Sequence, residues 1–349
     1  MAEEAGCKVQ KGTASGAPGQ GGQRPAVRGR FAPSPSGRMH LGNVFCALLA
    51  WLSVRAQGGT LVLRIEDLDP GRCKPAYTAQ LEDDLRWLGL DWDEGPDAGG
   101  PAGPYVQSAR MELYTDALNR LGRAGHIYPC YCTRKELRTL AGAPHVGDAG
   151  AAYPGTCRNL PPERRAELEA AGRRPCIRLR CPSQNYAFED AVFGPFSMTL
   201  EACGGDFALR RSDGVIAYQL AVVVDDGLMG ITQVVRGEDL LVSTPRQLAL
   251  FDLLGYPRPA YMHLPLLCDP EGERLAKRHA SLTLASLRDA GVSPAAVAGY
   301  LGWKAGLIGA LAPAHPRNLL PAFDPGRLRF LPERVLIEAD LTASLSVVC

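Results

Sequence analysis

From residue 27 onward the chain alternates between short apolar, β-prone runs and longer stretches whose apolar positions recur every three or four residues. Val27 to Ala32 reads as a short strand. Leu41 to Gln57 is apolar on nearly every face and reads as a buried helix, stopped at Gly58-Gly59. Thr60 to Ile65 is a second strand. Pro75 to Leu88 sets Leu81, Leu85 and Leu88 on one helical face, and Met111 to Leu121 is a further helix. Strand, helix, strand, helix in this order predicts an α/β fold, a parallel sheet with crossover helices.

The stretch from His126 to Phe196 breaks the pattern with clustered cysteines, a Gly/Ala/Pro loop and short β-like runs such as Cys176 to Arg180. It reads as an insertion between two halves of one fold. Alternation resumes at Phe207 with a strand, the Ser212-Asp213-Gly214 turn, the apolar segment Ile216 to Val224 and the run Ile231 to Arg236. Leu220 to Val224, ending at Asp225-Asp226, reads as part of a buried element. Thr244 to Leu254 is a helix closed by Gly255, and Tyr261 to Leu267 a further strand. The expected division is a disordered segment 1–26, a first half 27–125, an insertion 126–206, a second half 207–290 and a partly helical tail 291–349. No internal repeat is visible.

Composition is ordinary for a globular chain of 349 residues, with 46% apolar and 21% charged positions. The formal net charge of +1 excludes a global basic field, so a nucleic-acid partner would be held by local arginine patches. Arg164-Arg165, Arg173-Arg174, Arg178, Arg180 and Arg210-Arg211 are candidates, although most arginine pairs are simply solvated. The eleven cysteines are odd in number and suggest no disulfide framework. With no leader-like start and no apolar run long enough to span a bilayer, the expectation is a cytoplasmic monomer with reduced thiols and no membrane partner.

Chemistry concentrates in five places. In Arg30-Phe31-Ala32-Pro33-Ser34-Pro35-Ser36-Gly37, running into His40-Leu41-Gly42-Asn43, two prolines forbid a regular ladder. The turn delivers His40 and the amides around Gly42-Asn43 to a helix start, where negative charge is favoured. Arg64-Ile65-Glu66-Asp67-Leu68-Asp69 follows the second strand, at the sheet edge where ligands sit in open parallel sheets. Glu66 can anchor an ammonium group there; the plainer reading is an acidic loop paired with Arg64 and Arg72. Cys130 and Cys132, with Cys157, can converge on a tetrahedral ion. Its fourth ligand is left open between His145, the conventional donor, and Tyr153; the plainer reading is buried free thiols, as expected for Cys176, Cys181 and Cys203. Tyr218 and Arg236, placed near strand ends, fit a carboxylated substrate, Arg236 through its guanidinium fork; for either residue singly the plainer reading is a core tyrosine and a structural salt bridge. Arg274-Leu275-Ala276-Lys277-Arg278 is a cationic loop that would otherwise read as solvated surface.

Together these words resemble the glutamyl branch of the class I aminoacyl-tRNA synthetases. The first matches that branch's form of the "HIGH" signature, and Arg64-Ile65-Glu66-Asp67, the run ending at Asp225-Asp226 and Arg236-Gly237-Glu238-Asp239 match further family segments. The loop at 274–278 stands where the family has "KMSKS", with Arg274 in place of lysine and Ala276 in place of serine. The resemblance spans roughly Val27 to Leu284. It implies a Rossmann-type parallel sheet with a zinc-containing insertion. It also implies ATP held by His40, Gly42, Asn43 and Lys277; Mg2+ on the phosphates is the ordinary chemical expectation, since the sequence shows no dedicated metal box. Glutamate would be bound by Arg30, Phe31, Ala32, Pro33, Ser34, Glu66, Tyr218 and Arg236. One structural zinc would sit on Cys130, Cys132, Tyr153 and Cys157, the set that short members of the branch show. About 70 residues follow Arg278, fewer than an anticodon-binding region needs. That and the Pro-Ser-Pro-Ser form resemble the glutamyl-queuosine tRNA(Asp) synthetases, which activate glutamate without tRNA and attach it to the queuosine at the wobble position of tRNA(Asp). Three alternatives stand beside this: a truncated enzyme charging tRNA(Glu), a glutaminyl enzyme, and an inactive RNA-binding paralogue.

Overall fold

The computed structural model describes residues 26–133, 135–137, 153–275 and 282–346. Its main sheet has six strands, in the spatial order β2 (Thr60–Leu63), β1 (Arg28–Phe31), β8 (Gln233–Gly237), β9 (Ala260–Leu264), β5 (Asn185–Asp190) and β6 (Gly194–Thr199). The first five are parallel, and β6 closes the edge antiparallel to β5. Both faces are covered, as the strand sequences require. In β2, Leu61 and Leu63 enter one core and Val62 the other; in β9, Met262 and Leu264 divide in the same way from Tyr261.

One face carries α1 (Leu41–Arg55), α2 (Pro75–Trp87), α7 (Leu284–Asp289) and α8 (Pro294–Lys304), and the other carries α3 (Met111–Arg123), α5 (Tyr218–Leu228) and α6 (Thr244–Leu254). Helix α1 is apolar all round because it lies between the sheet and the C-terminal helices. It also packs closely: a Cβ on Gly29 of β1 would collide with the Val54 side chain. Gly255, at φ 68°, closes α6 in the left-handed conformation expected of a C-terminal glycine.

The cysteine-rich region forms a separate antiparallel sheet of β3 (Ile127–Cys130), β4 (Cys176–Leu179) and β7 (Ala208–Arg210), with α4 (Pro162–Ala170) between β3 and β4 in the chain. Sheet membership does not follow the chain division read at 206/207. The β5–β6 hairpin, drawn from within 126–206, joins the main sheet, because Asp190 meets Tyr261 of β9. Strand β7 stays with the small sheet. Local pattern cannot reveal partners so distant in sequence.

Two further expectations are corrected. Tyr261 to Leu267 is not one strand: Pro265 has no N–H for the ladder. The chain changes sheets there, and β10 (Leu266–Cys268) pairs with β11 (Arg334–Leu336). Tyr218 does not lie at a strand end but opens α5; the valines that follow it are wholly buried and helical. Among the described residues no helix is long and apolar enough to cross a membrane.

Candidate active site and metal centre

The carboxyl ends of β1, β2 and β8, and the N-termini of α1 and α5, surround one open cleft of about 410 Å3. It lies where β1 has β2 on one side and β8 on the other, the switch point at which parallel sheets open a crevice. Arg30, Phe31, Ala32, Pro33, Ser34, His40, Gly42, Asn43, Glu66, Tyr218 and Arg236 all line it. The proline turn is held by backbone bonds: the Glu66 amide donates to the Pro33 carbonyl at 3.0 Å and the Lys74 amide to the Pro35 carbonyl at 3.1 Å. Glu66 is thereby fixed beside the turn. The His40 carbonyl accepts from the amides of Asn43 and Val44, starting α1. A Cβ on Gly42 would stand 3.1 Å from the His40 ring, so glycine lets the imidazole lie close to the first turn.

Beneath the cleft is a buried ionic cluster. Arg64, wholly buried, donates to Asp226 at 2.6 Å and to Glu66 at 3.1 Å, and its Nε stands 3.6 Å from Asp225. Arg30 reaches Asp226 at 3.5 Å and the Val235 carbonyl at 3.3 Å. Asp225 is separately satisfied by Arg110 at 2.6 Å, Gln107 at 2.8 Å and the Tyr114 hydroxyl. Burial pushes the Glu66 carboxyl up, against the opposing pull of Arg64 and Arg30. Burial would raise Asp226 as well, but Arg64 and Arg30 hold it below the usual carboxylate range. The acidic word after β2 is thus split by role: Glu66 faces the cleft, Asp67 accepts from Ser108, and Asp69 pairs with Arg211.

Arg236 is held by Gln247 at 2.7 Å, Thr244 at 2.8 Å and His263 at 3.1 Å. On the cleft rim, Arg274 pairs with Asp239 at 2.7 Å. Ala276, Lys277 and Arg278 lie outside the described residues, as does His145. The sequence reading assigned no role to Asp226, Asp239, His263 or Asp190. The signal it had was charge at the ends of buried apolar runs, as where Val222 to Val224 meets Asp225-Asp226.

In the insertion, the Cys130, Cys132 and Cys157 thiols lie within 4.8 Å of one another. Cys132 and Cys157 sulfurs are 3.6 Å apart, and the Tyr153 hydroxyl is 3.3 Å from the Cys130 sulfur. With Zn–S near 2.3 Å and Zn–O near 2.0 Å, the edges of a tetrahedron are roughly 3.8 Å and 3.5 Å. Three thiols and one phenol oxygen therefore fit a zinc ion. The Cys157 amide donates to the Tyr153 oxygen at 2.8 Å, and the Arg178 guanidinium lies 3.9 Å from the centre of the tyrosine ring. Cys176 is not an isolated thiol: it stands opposite Cys130 in the β3–β4 register, and its hydrogen bond favours the Cys130 thiolate, with burial opposing and Tyr153 and Arg178 assisting. Cys181 and Cys203 are buried. Several candidate RNA-binding arginines are engaged within the protein: Arg164 with Glu167, Arg173 with Glu136, Arg178 with the Asp206 carbonyl and Arg211 with Asp69.

This geometry has a family. The family of class I tRNA synthetases (E and Q), catalytic domain, matches residues 26–307. The chain belongs to that family. The synthetase is 61% identical over 292 residues to a glutamyl-Q tRNA(Asp) synthetase of Nitratidesulfovibrio vulgaris, covering 84% of this chain and 90% of that protein. It is 55% identical over 319 residues to the one from Symbiobacterium thermophilum, covering 91% and 98%. A glutamate–tRNA ligase of Sulfurihydrogenibium is 43% identical, but the match spans only 58% of that longer protein. Among solved structures, a glutamate tRNA ligase from Elizabethkingia meningosepticum, in complex with its amino acid, superposes with a TM-score of 0.77 at 28% identity, over 91% of this chain and 68% of that one. The synthetase is thus a ligase of the aminoacyl-tRNA synthetase type, with glutamate activation and tRNA-related chemistry supported by its relatives.

Proposed function

We propose that the protein joins glutamate and ATP into glutamyl-adenylate without tRNA, and transfers the glutamyl group to queuosine at the wobble position of tRNA(Asp). The observation that carries this reading is the single cleft in which Glu66, Arg30, Arg236 and Tyr218 stand beside the histidine-led start of α1. Glu66 offers an anion to the substrate ammonium, Arg30 and Arg236 offer cations to its carboxylates, and Tyr218 a hydroxyl. His40, Gly42 and Asn43 hold ATP at the helix start, where the positive end of the helix dipole favours developing negative charge. Lys277 neutralises the departing pyrophosphate, and Mg2+ accompanies the phosphates. The α-carboxylate oxygen of glutamate attacks the α-phosphorus, and the bond to pyrophosphate breaks. A queuosine nucleophile then attacks the carbonyl carbon and AMP leaves. Positioning and electrostatics supply the rate, with no covalent protein intermediate.

Cys130, Cys132, Tyr153 and Cys157 would hold one zinc, which ties β3 to the segment around Cys157 and keeps the insertion rigid. Preference for queuosine over the tRNA(Glu) end is supported by relatives of 49–61% identity that bear the glutamyl-Q name and match this chain along most of their length. The test is charging with radiolabelled glutamate on tRNA(Asp) with and without queuosine, beside tRNA(Glu). Label confined to queuosine-containing tRNA(Asp) is expected. Label on tRNA(Glu) would make this a protein-synthesis enzyme instead.

A further inference from the structure

We propose that Asp190 and His263 form a positioning pair for Arg236: they fix its guanidinium toward a substrate carboxylate while keeping their own anion one imidazole ring away. The three residues stand near the carboxyl ends of adjacent strands. Arg236 of β8 is in register with His263 of β9, and β5, which ends at Asp190, pairs with β9. Asp190 and His263 are wholly buried, and Arg236 is 5% exposed.

The hydrogen bonds admit one proton arrangement. Asp190 Oδ1 accepts from the amides of Val192 at 3.0 Å and Phe193 at 2.9 Å. Its Oδ2 accepts from the His263 amide at 3.0 Å and stands 2.6 Å from His263 Nδ1. A carboxylate so placed offers only acceptors, so Nδ1 carries the imidazole proton and Nε2 keeps a lone pair. Arg236 Nε, which can only donate, lies 3.1 Å from Nε2. The logic is that of a histidine ligand or base set in one tautomer by a carboxylate behind it.

The charge pattern supplies the reason for a relay in place of a direct ion pair. The side-chain partners of Arg236, which are His263, Gln247 and Thr244, are all neutral, and among the described residues it forms no ion pair. Its guanidinium has five N–H groups. Three are committed to these partners and a fourth donates to the Leu240 carbonyl at 3.5 Å, which leaves one free for an incoming carboxylate, with the long Leu240 bond the readiest to be exchanged. A protein carboxylate in direct contact would neutralise the charge and compete with substrate. With the imidazole between, Asp190 strengthens Nε2 as an acceptor without meeting Arg236. The Tyr261 ring stacks on His263 at 5.9 Å, and Phe188 packs against the same ring at 6.2 Å. Burial, followed by the Arg236 and Arg30 cations, overrides the pull of Asp190 and keeps the His263 pKa down to about 4, so the ring stays neutral at working pH.

The proposal rests on the functional reading only in taking the substrate to be a carboxylated amino acid. Asp190→Asn tests it. The asparagine carbonyl remains on the Val192 and Phe193 amides, and its NH2 then faces Nδ1. That forces the proton to Nε2, where two donors confront each other. In glutamate-dependent ATP–pyrophosphate exchange, the KM for glutamate should rise about tenfold or more, the scale of one lost bond to a charged group, with the KM for ATP unchanged. His263→Phe should behave alike. His263→Gln, which restores an acceptor near Nε2, should recover most of the loss. 15N NMR of labelled histidine should place the proton on Nδ1 in the unaltered protein and on Nε2 in Asp190→Asn. Glutamate and ATP KM values rising together, no rescue by glutamine, or a proton on Nε2 in the unaltered protein would each overturn the proposal. Absence of exchange in the unaltered protein would instead sink the functional reading, and the NMR result would still decide the pair.

Discussion

Replacing Arg64 by methionine should expose the electrostatic debt beneath the cleft. The two side chains are similar in length, so packing changes little and charge changes most. Arg64 is wholly buried and spans Asp226 at 2.6 Å and Glu66 at 3.1 Å. Asp225 keeps Arg110, Gln107 and Tyr114 and is not orphaned. Glu66 and Asp226 would retain Arg30 alone, 3.5 Å from Asp226. Removing one partner of a buried pair costs about 3–5 kcal/mol, because the remaining charge stays desolvated. The folded variant relieves this by taking up a proton on one carboxyl, whose folded-state pKa then lies above its unfolded value. Stability from that protonated form is present below the unfolded pKa and lost as pH rises through the folded one. Urea unfolding should therefore show a deficit of about 3–5 kcal/mol at pH 8. The deficit should shrink toward pH 5 by up to about 1.4 kcal/mol per pH unit. A deficit under about 1 kcal/mol that is flat between those pH values would refute the account of Arg64 as the counter-ion of this cluster.

Arg236→Lys replaces a fork with a single ammonium; glutamate KM in pyrophosphate exchange should rise roughly 10- to 100-fold while ATP KM holds. Cys130→Ser should lower bound zinc, read by atomic absorption, from one equivalent to near none, and hydrogen exchange should quicken in β3, β4 and β7. His263, held at about 4 by burial, has a folded pKa below the usual 6.5, so the unfolded chain takes its proton first. Its contribution is complete above the unfolded value and should be lost by about 3 kcal/mol as pH falls from 6.5 to 4. Urea unfolding at pH 7 and 4.5 should show this acid limb in the unaltered protein, and His263→Gln should lack it.

The local sequence was enough for the elements that carry their own punctuation. The proline turn before His40, the all-round apolarity of α1, the glycines that stop α1 and α6, and the spacing of Leu81, Leu85 and Leu88 are each legible within a dozen residues, because helix periodicity and backbone freedom are short-range properties. The cleft residues were legible chiefly through the resemblance of whole words to a family: Glu66, Tyr218 and Arg236 taken singly read equally well as an acidic loop, a core tyrosine and a structural ion pair. Only the tertiary structure decided which side chains hold those residues in place. Arg64 meets Asp226, Asp190 reaches His263, and Asp239 finds Arg274 across gaps that no local pattern spans. It also decided that β5 belongs to the main sheet, that Pro265 separates two sheets, and that the valines after Tyr218 are helical. Propensity speaks to neighbours along the chain. Buried charge must be satisfied by whatever the fold brings beside it, so its partners are set by topology.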